Sequence, residues 1–246
     1  ALSEIADDSL KRLATHKLLD AFRDHRLTDF QLHRDGFSLI GLRYANADKD
    51  IRPILAERGP GLEDLLECAI EIVEQWELTS LASDLATLVL DENAPAESRK
   101  SAGYALVRLE RTHGVNEARK RLKPLLERKG RSAPRELTGL ALQALWPDYL
   151  SATELLYALP HRNDRSYVGA LEGFVYSLDQ SGFDASDCPL EGLKWALRHG
   201  KTSDQLYSDN PHQRIAKRIA RRSLAAIGQP KVLNALADVV VALAHR

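Results

Sequence analysis

Apolar residues recur with a helical period along most of the 246-residue chain. Residues 2–24 carry Leu2, Ile5, Leu10, Leu13, Leu18, Leu19 and Phe22, enough for one or two helices. The pattern loosens over 27–61, where Gly36, Gly41, Pro53, Gly59, Pro60 and Gly61 fall. This stretch reads as a connector with a short helix near 51–57. From Leu62 the predicted helices come in pairs: 62–76 with 78–91, 95–111 with 117–128, 135–145 with 152–159, 165–178 with one inside 188–199, and 211–227 with 230–244. Local signals set several of the ends. Pro95 suits a first helical turn, Asn116 a cap, and Ser151-x-x-Glu154 a capping box; Gly182 and Gly228-Gln229-Pro230 mark turns. Pro124 lies inside an otherwise helical run and predicts a kink there.

A longer period overlies the helical one. Gly103-Tyr-Ala-Leu-Val-Arg-Leu109 recurs as Gly139-Leu-Ala-Leu-Gln-Ala-Leu145, 36 residues later, and Ala69-Ile70-x-x-Val73 stands 36 residues earlier. Beyond Trp146 the spacing drifts to 29 residues, at Ala170-Leu171-x-x-Phe174. A fixed spacing of this size marks stacked helical repeats. Glycine in a helix interior costs about 1 kcal/mol relative to alanine, so Gly103 and Gly139 imply faces where neighbours approach closely.

Three segments carry a family resemblance. Asp91-Glu-Asn-Ala-Pro95, Ser98 to Leu109, and Ala118-Arg-Lys-Arg-Leu-Lys-Pro-Leu-Leu126 together resemble tandem HEAT-type repeats of bacterial proteins. Gly139 to Leu155 resembles the helical arm of large STAND-class, NACHT-like signalling ATPases. The resemblance spans roughly residues 62–200 and implies an all-α fold: a right-handed α-solenoid of about five antiparallel helical hairpins. The expected division is an N-terminal helical cap or connector over 1–61 and a repeat array over 62–246. No Gly-x-x-x-x-Gly-Lys-Ser/Thr loop occurs, so no nucleotide cofactor is expected on this chain.

Composition narrows the setting. Hydrophobic content of 44% with 28% charged residues is that of an ordinary water-soluble protein, and no run approaches the ~18 apolar residues of a membrane span. Cys68 and Cys188 stand far apart in no metal or redox motif, which suits a reducing cytoplasm and predicts two small buried hydrophobes. A chain with no methionine that begins at Ala1 reads as part of something longer.

Charge is uneven although the net value is only −1. Residues 48–92 hold 12 acidic and 3 basic residues, a balance of −9, and residues 99–135 hold 12 basic and 3 acidic, a balance of +9. Such fields steer charged partners or merely solvate outer faces. Near the C-terminus Arg214, Lys217, Arg218, Arg221 and Arg222 stand at i, i+3, i+4, i+7 and i+8, five cations on one face of one helix. Like charges so close require a negative neighbour. Asp204, Asp209, an acidic protein and a nucleic acid are the candidates, and the five cations are the candidate partner-binding residues. Glu63, Glu67, Glu71 and Glu74 form an acidic stripe without a histidine, which argues against metal ligation.

Catalytic patterns are sparse. None of the eight histidines is followed by glutamate, and neither a His-Glu-x-x-His helix nor a Gly-x-Ser-x-Gly elbow is present. The leading expectation is a non-catalytic recognition or scaffold module, with no chemistry of its own. It would serve as the sensor or interaction arm of a larger regulatory protein and bind a protein partner or other domains of the same chain. The alternative is a HEAT-repeat alkyl-base DNA glycosylase, which would use a tryptophan such as Trp146 and a carboxylate such as Asp148 in a basic groove. Nucleic acid would then bind through the basic C-terminal helix.

Overall fold

The computed structural model describes residues 7–28, 38–113, 116–127, 135–159, 169–199 and 211–244. Among them every regular element is helical, as the apolar period requires. By contacts the chain divides into two compact units, residues 1–133 and 134–246.

The first unit holds α1 (Asp8–Arg23), α2 (Asp48–Leu55), α3 (Glu63–Gln75), α4 (Ala82–Leu90), α5 (Ala96–His113), α6 (Asn116–Lys120) and α7 (Pro124–Glu127). Its helices pack in an alternating order: α3 lies against α5, α2 against α4, and α4 against α6, while α4 and α5 pack on each other. The apolar stripe of α3, including Leu65, Leu66, Ala69, Ile72 and Val73, is buried, as is Cys68. Residues 38–55 are built onto this core. The buried Trp76 indole donates to the Leu39 carbonyl at 2.7 Å, and the Leu39 N–H donates to Gln75 Oε1 at 2.9 Å. Both polar groups of a buried backbone unit are thereby satisfied. Tyr44 meets Trp76 edge-on at 5.7 Å, and α1 and α2 both lie against α3.

Pro124 does more than kink its helix. The chain leaves the helix after Lys120, turns through bonds from Arg121 to Ala118, Leu122 to Arg119 and Lys123 to Lys120, and starts again at Pro124. Proline has no N–H to continue the ladder but fits a first helical position, so the run from 117 to 128 divides in two.

The second unit holds α8 (Arg135–Leu145), α9 (Ala152–Ala158), α10 (Ala170–Gln180), α11 (Pro189–His199), α12 (Pro211–Ser223) and α13 (Pro230–Ala244). Here α8 packs on α10 and α10 on α12, while α9 packs on α11 and α11 on α13. Two rows of alternate helices result, joined where α11 meets α12 and α12 meets α13. The capping box that opens α9 forms as predicted: the Glu154 N–H donates to Ser151 Oγ at 3.2 Å, and the Ser151 N–H donates to Glu154 Oε2 at 2.9 Å. Of the expected helix 165–178, residues 165–168 lie outside the described residues, and α10 continues to Gln180.

The repeat glycine Gly139 is where α8 meets α10. A Cβ built there would lie 2.1 Å from Leu171 N and 2.4 Å from Ala170 C. Only glycine allows this approach of backbone to backbone. Polar bonds fix the same junction: the Ala170 N–H donates to Glu136 Oε2 at 2.9 Å, Gln143 Nε2 donates to the Ala170 carbonyl at 2.9 Å, and Arg135 pairs with Glu172.

Candidate interaction surface

The C-terminal basic helix resolves into two flanks. On α12, Ile215, Ala216, Ile219, Ala220 and Ser223 face the core. Arg214 and Arg218, one helical turn apart, converge on Asp179 near the end of α10. Arg214 Nε donates to Asp179 Oδ2 at 2.6 Å and Arg218 Nη2 to Asp179 Oδ1 at 3.1 Å. Each carboxylate oxygen therefore has its own guanidinium, an arrangement that suits a carboxylate only 4% exposed. Arg218 Nη1 also donates to the Phe183 carbonyl at 3.3 Å, and Arg222 Nε lies 3.1 Å from Asp184 Oδ2.

The negative neighbour demanded by the cation stripe is thus found inside the unit, at Asp179 and Asp184. Asp204 and Asp209 lie outside the described residues. Lys217 and Arg221 are exposed, as Arg222 is, but differ from the other three in forming no ion pair among the described residues. The sequence grouped all five cations together, and the structure separates an anchored set from a pair facing solvent.

The turn that carries Asp184 is stiffened locally. Gly182 has φ +78° and Ala185 φ +57°, and the Ser186 N–H donates to Asp184 Oδ1 at 3.0 Å. Phe183 meets the Trp146 ring edge-on at 5.5 Å. Trp146 therefore closes the end of α8 against this turn, and Asp148 beside it is exposed. Trp195 is buried in α11, where its ring stacks with His199 at 4.8 Å and with His212 of α12 at 6.0 Å.

Part of the opposed charge of 48–92 and 99–135 meets within the first unit. Arg108 pairs with Glu74, and His113 Nε2 lies 3.3 Å from Glu77. Other cations of this stretch hold backbone: the buried Arg99 donates to the Val89 carbonyl at 2.9 Å, and Arg121 to the Ser83 carbonyl at 2.7 Å. Within the acidic stretch itself, Arg58 Nε donates to Asp91 at 2.7 Å, and this bond, followed by one from the Asn93 N–H, holds the Asp91 carboxyl below its usual range. Both cysteines are buried thiols outside any disulfide, and burial pushes the Cys188 thiol above its ordinary value, away from the thiolate a nucleophile needs.

Sequence reasoning missed two features. Asp179 and Asp184 precede their arginines by a repeat length, with Asp179 35 residues before Arg214. The second is the outer side of α13, where Leu233, Val240 and Val241 are about half exposed. The signal was the run Val239-Val240-Val241 with Leu233 and Leu236, apolar over more than one face of a helix. Among the described residues no helix is long and apolar enough to cross a membrane. No family model matches the chain, and no curated protein or solved structure is significantly similar to it.

Proposed function

We propose that the chain is a HEAT-like α-solenoid module whose role is non-catalytic macromolecular recognition, serving as the interaction arm of a larger regulatory protein. The observation that carries this reading is the separation at which polar side chains meet. Glu74 and Arg108 are 34 residues apart, Glu77 and His113 36, Glu172 and Arg135 37, and Asp179 and Arg214 35. These are all close to the sequence repeat of 36. Within each of the two units, bonds at one repeat length join successive hairpins, as in a stack whose repeats contact only their neighbours. The alternating helix rows of each unit agree with it.

A stack of this kind offers outer helix faces. Here Lys217 and Arg221 are exposed and uncommitted, whereas Arg214 and Arg218 are anchored by Asp179. The packing of Trp146 on Phe183 also favours a structural tryptophan over one that stacks a flipped base. Immobilised wild-type chain should enrich a protein from an extract of the source cells that a Lys217→Glu/Arg221→Glu variant does not. If no variant-sensitive protein is enriched, and the chain instead releases alkylated bases from duplex DNA in a reaction abolished by Asp148→Asn, the recognition reading is wrong.

A further inference from the structure

Helix α13 has two apolar stripes. Val232, Leu236 and Val239 are buried, while Leu233, Ala237, Val240 and Val241 are exposed, at i, i+4, i+7 and i+8. The exposed stripe therefore runs along one flank of the helix for about 12 Å at a rise of 1.5 Å per residue. Leu224 and Ile227, in the connection leading into α13, add 56% and 45% exposed apolar side chains. On α12 and the turn that extends it, Lys217, Arg221 and Leu224 stand at i, i+4 and i+7, so the two uncommitted cations share a stripe with an exposed leucine.

The row pattern explains which flank is open. Helix α10 has α8 on one side and α12 on the other, and α11 lies between α9 and α13. Helices α12 and α13 have such a neighbour on one side only, among the described residues. Of the six Lys and Arg in residues 211–244, Arg214, Arg218 and Arg222 are paired with Asp179 and Asp184, which leaves Lys217, Arg221 and Lys231 exposed against one acidic residue, Asp238.

We infer that the α12–α13 face receives an amphipathic helix of a partner protein whose apolar side is flanked by Asp or Glu. This rests on the reading of the chain as a recognition module. A stripe at i, i+4, i+7 and i+8 matches the ridge spacing of a docked helix, which anchors through the same intervals. Acidic flanks follow from Lys217 and Arg221, which would meet them at the rim. A symmetric contact with a second copy would bring the same face, whose single acidic residue is Asp238, and so few acidic groups for these cations, and a nucleic acid would leave the apolar stripe unused.

The probe is a stapled 18-residue helix with leucines at i, i+4, i+7 and i+11 flanked by glutamates, together with a twin bearing lysines instead. Fluorescence anisotropy with the full chain should show binding of the glutamate peptide and none of the lysine twin. Val240→Asp and Lys217→Glu/Arg221→Glu should each weaken binding by about tenfold or more. All three positions are exposed, and circular dichroism and urea midpoints should match wild type. Equal binding of both peptides, binding that survives Val240→Asp, no binding of either, or a dimer in solution that Val240→Asp dissolves would each overturn the inference. If the peptide fails while the extract still yields a protein sensitive to Lys217→Glu/Arg221→Glu, the acidic-helix proposal falls and the recognition reading stands. If both fail, both fall.

Discussion

Single residues of this chain carry well-defined physical constraints. Gly139 is the sharpest, because a methyl group there would overlap the backbone of Ala170 and Leu171, which cannot swing away as a side chain would. Gly139→Ala should destabilise the second unit by about 1–3 kcal/mol or more, the cost of overpacking, seen as a lower urea midpoint. Asp179 is the second case. Asp179→Ala removes the acceptor shared by Arg214 and Arg218, each about a third exposed and so partly able to recover water. A loss of about 1.5–3 kcal/mol is expected, while Lys217→Ala should stay within about 0.5 kcal/mol. Asp50 supplies a pH dependence. Burial alone would raise its pKa, but hydrogen bonds from Tyr44, Arg12 and His16 outweigh it and hold the carboxyl below its usual value. A lowered carboxylate pKa contributes stability that is present above the unfolded value of about 4 and is lost as pH falls through the folded value. Wild type should therefore lose stability on acidification below about pH 4 more steeply than Asp50→Asn, as followed by urea unfolding across pH.

At the scale of elements, helix ends follow local chemistry closely. The Ser151 box stands where the sequence placed it, and Ser151→Ala should cost about 1 kcal/mol of stability, measured by the same unfolding curves. The helices were legible from periodicity and flanking Pro or Gly: 135–145 and 230–244 stand as read, whereas the helix expected over 211–227 ends at Ser223 and passes into a 3-10 turn over Leu224–Ala226. Pro124 was read as a kink and is a break, since the i→i+3 turn before it competes with a helix of only five residues, α6. The division of α12 was not legible for a different reason. Helical spacing shows that five cations share a face, but which of them are neutralised depends on a helix one repeat away. Asp179 is visible in the sequence as an acid 35 residues before Arg214, yet its meaning appears only once the repeat is used as a ruler for charge as well as for apolar residues.

For the whole molecule, the repeat spacing organises contacts that composition alone would misread. The blocks of −9 and +9 suggested a long-range field, but Arg108–Glu74, Arg99 on the Val89 carbonyl and Arg121 on the Ser83 carbonyl use much of that charge locally. At the last hairpin Lys217 and Arg221 are exposed without an ion pair among the described residues, and α13 carries an apolar stripe that is about half exposed. The apolar part was hidden in the sequence because a helix with two apolar stripes looks like an ordinary core helix until its neighbours are counted. The proposed division assigns recognition to this hairpin and a structural role to the Asp179 side. Amide hydrogen–deuterium exchange of the chain with and without the glutamate-flanked helix separates the two. Slowed exchange confined to residues 217–241, with α8 and α10 unchanged, is the predicted result. Protection centred on α8 and α10, or no change within 217–241 at saturating peptide, would contradict it.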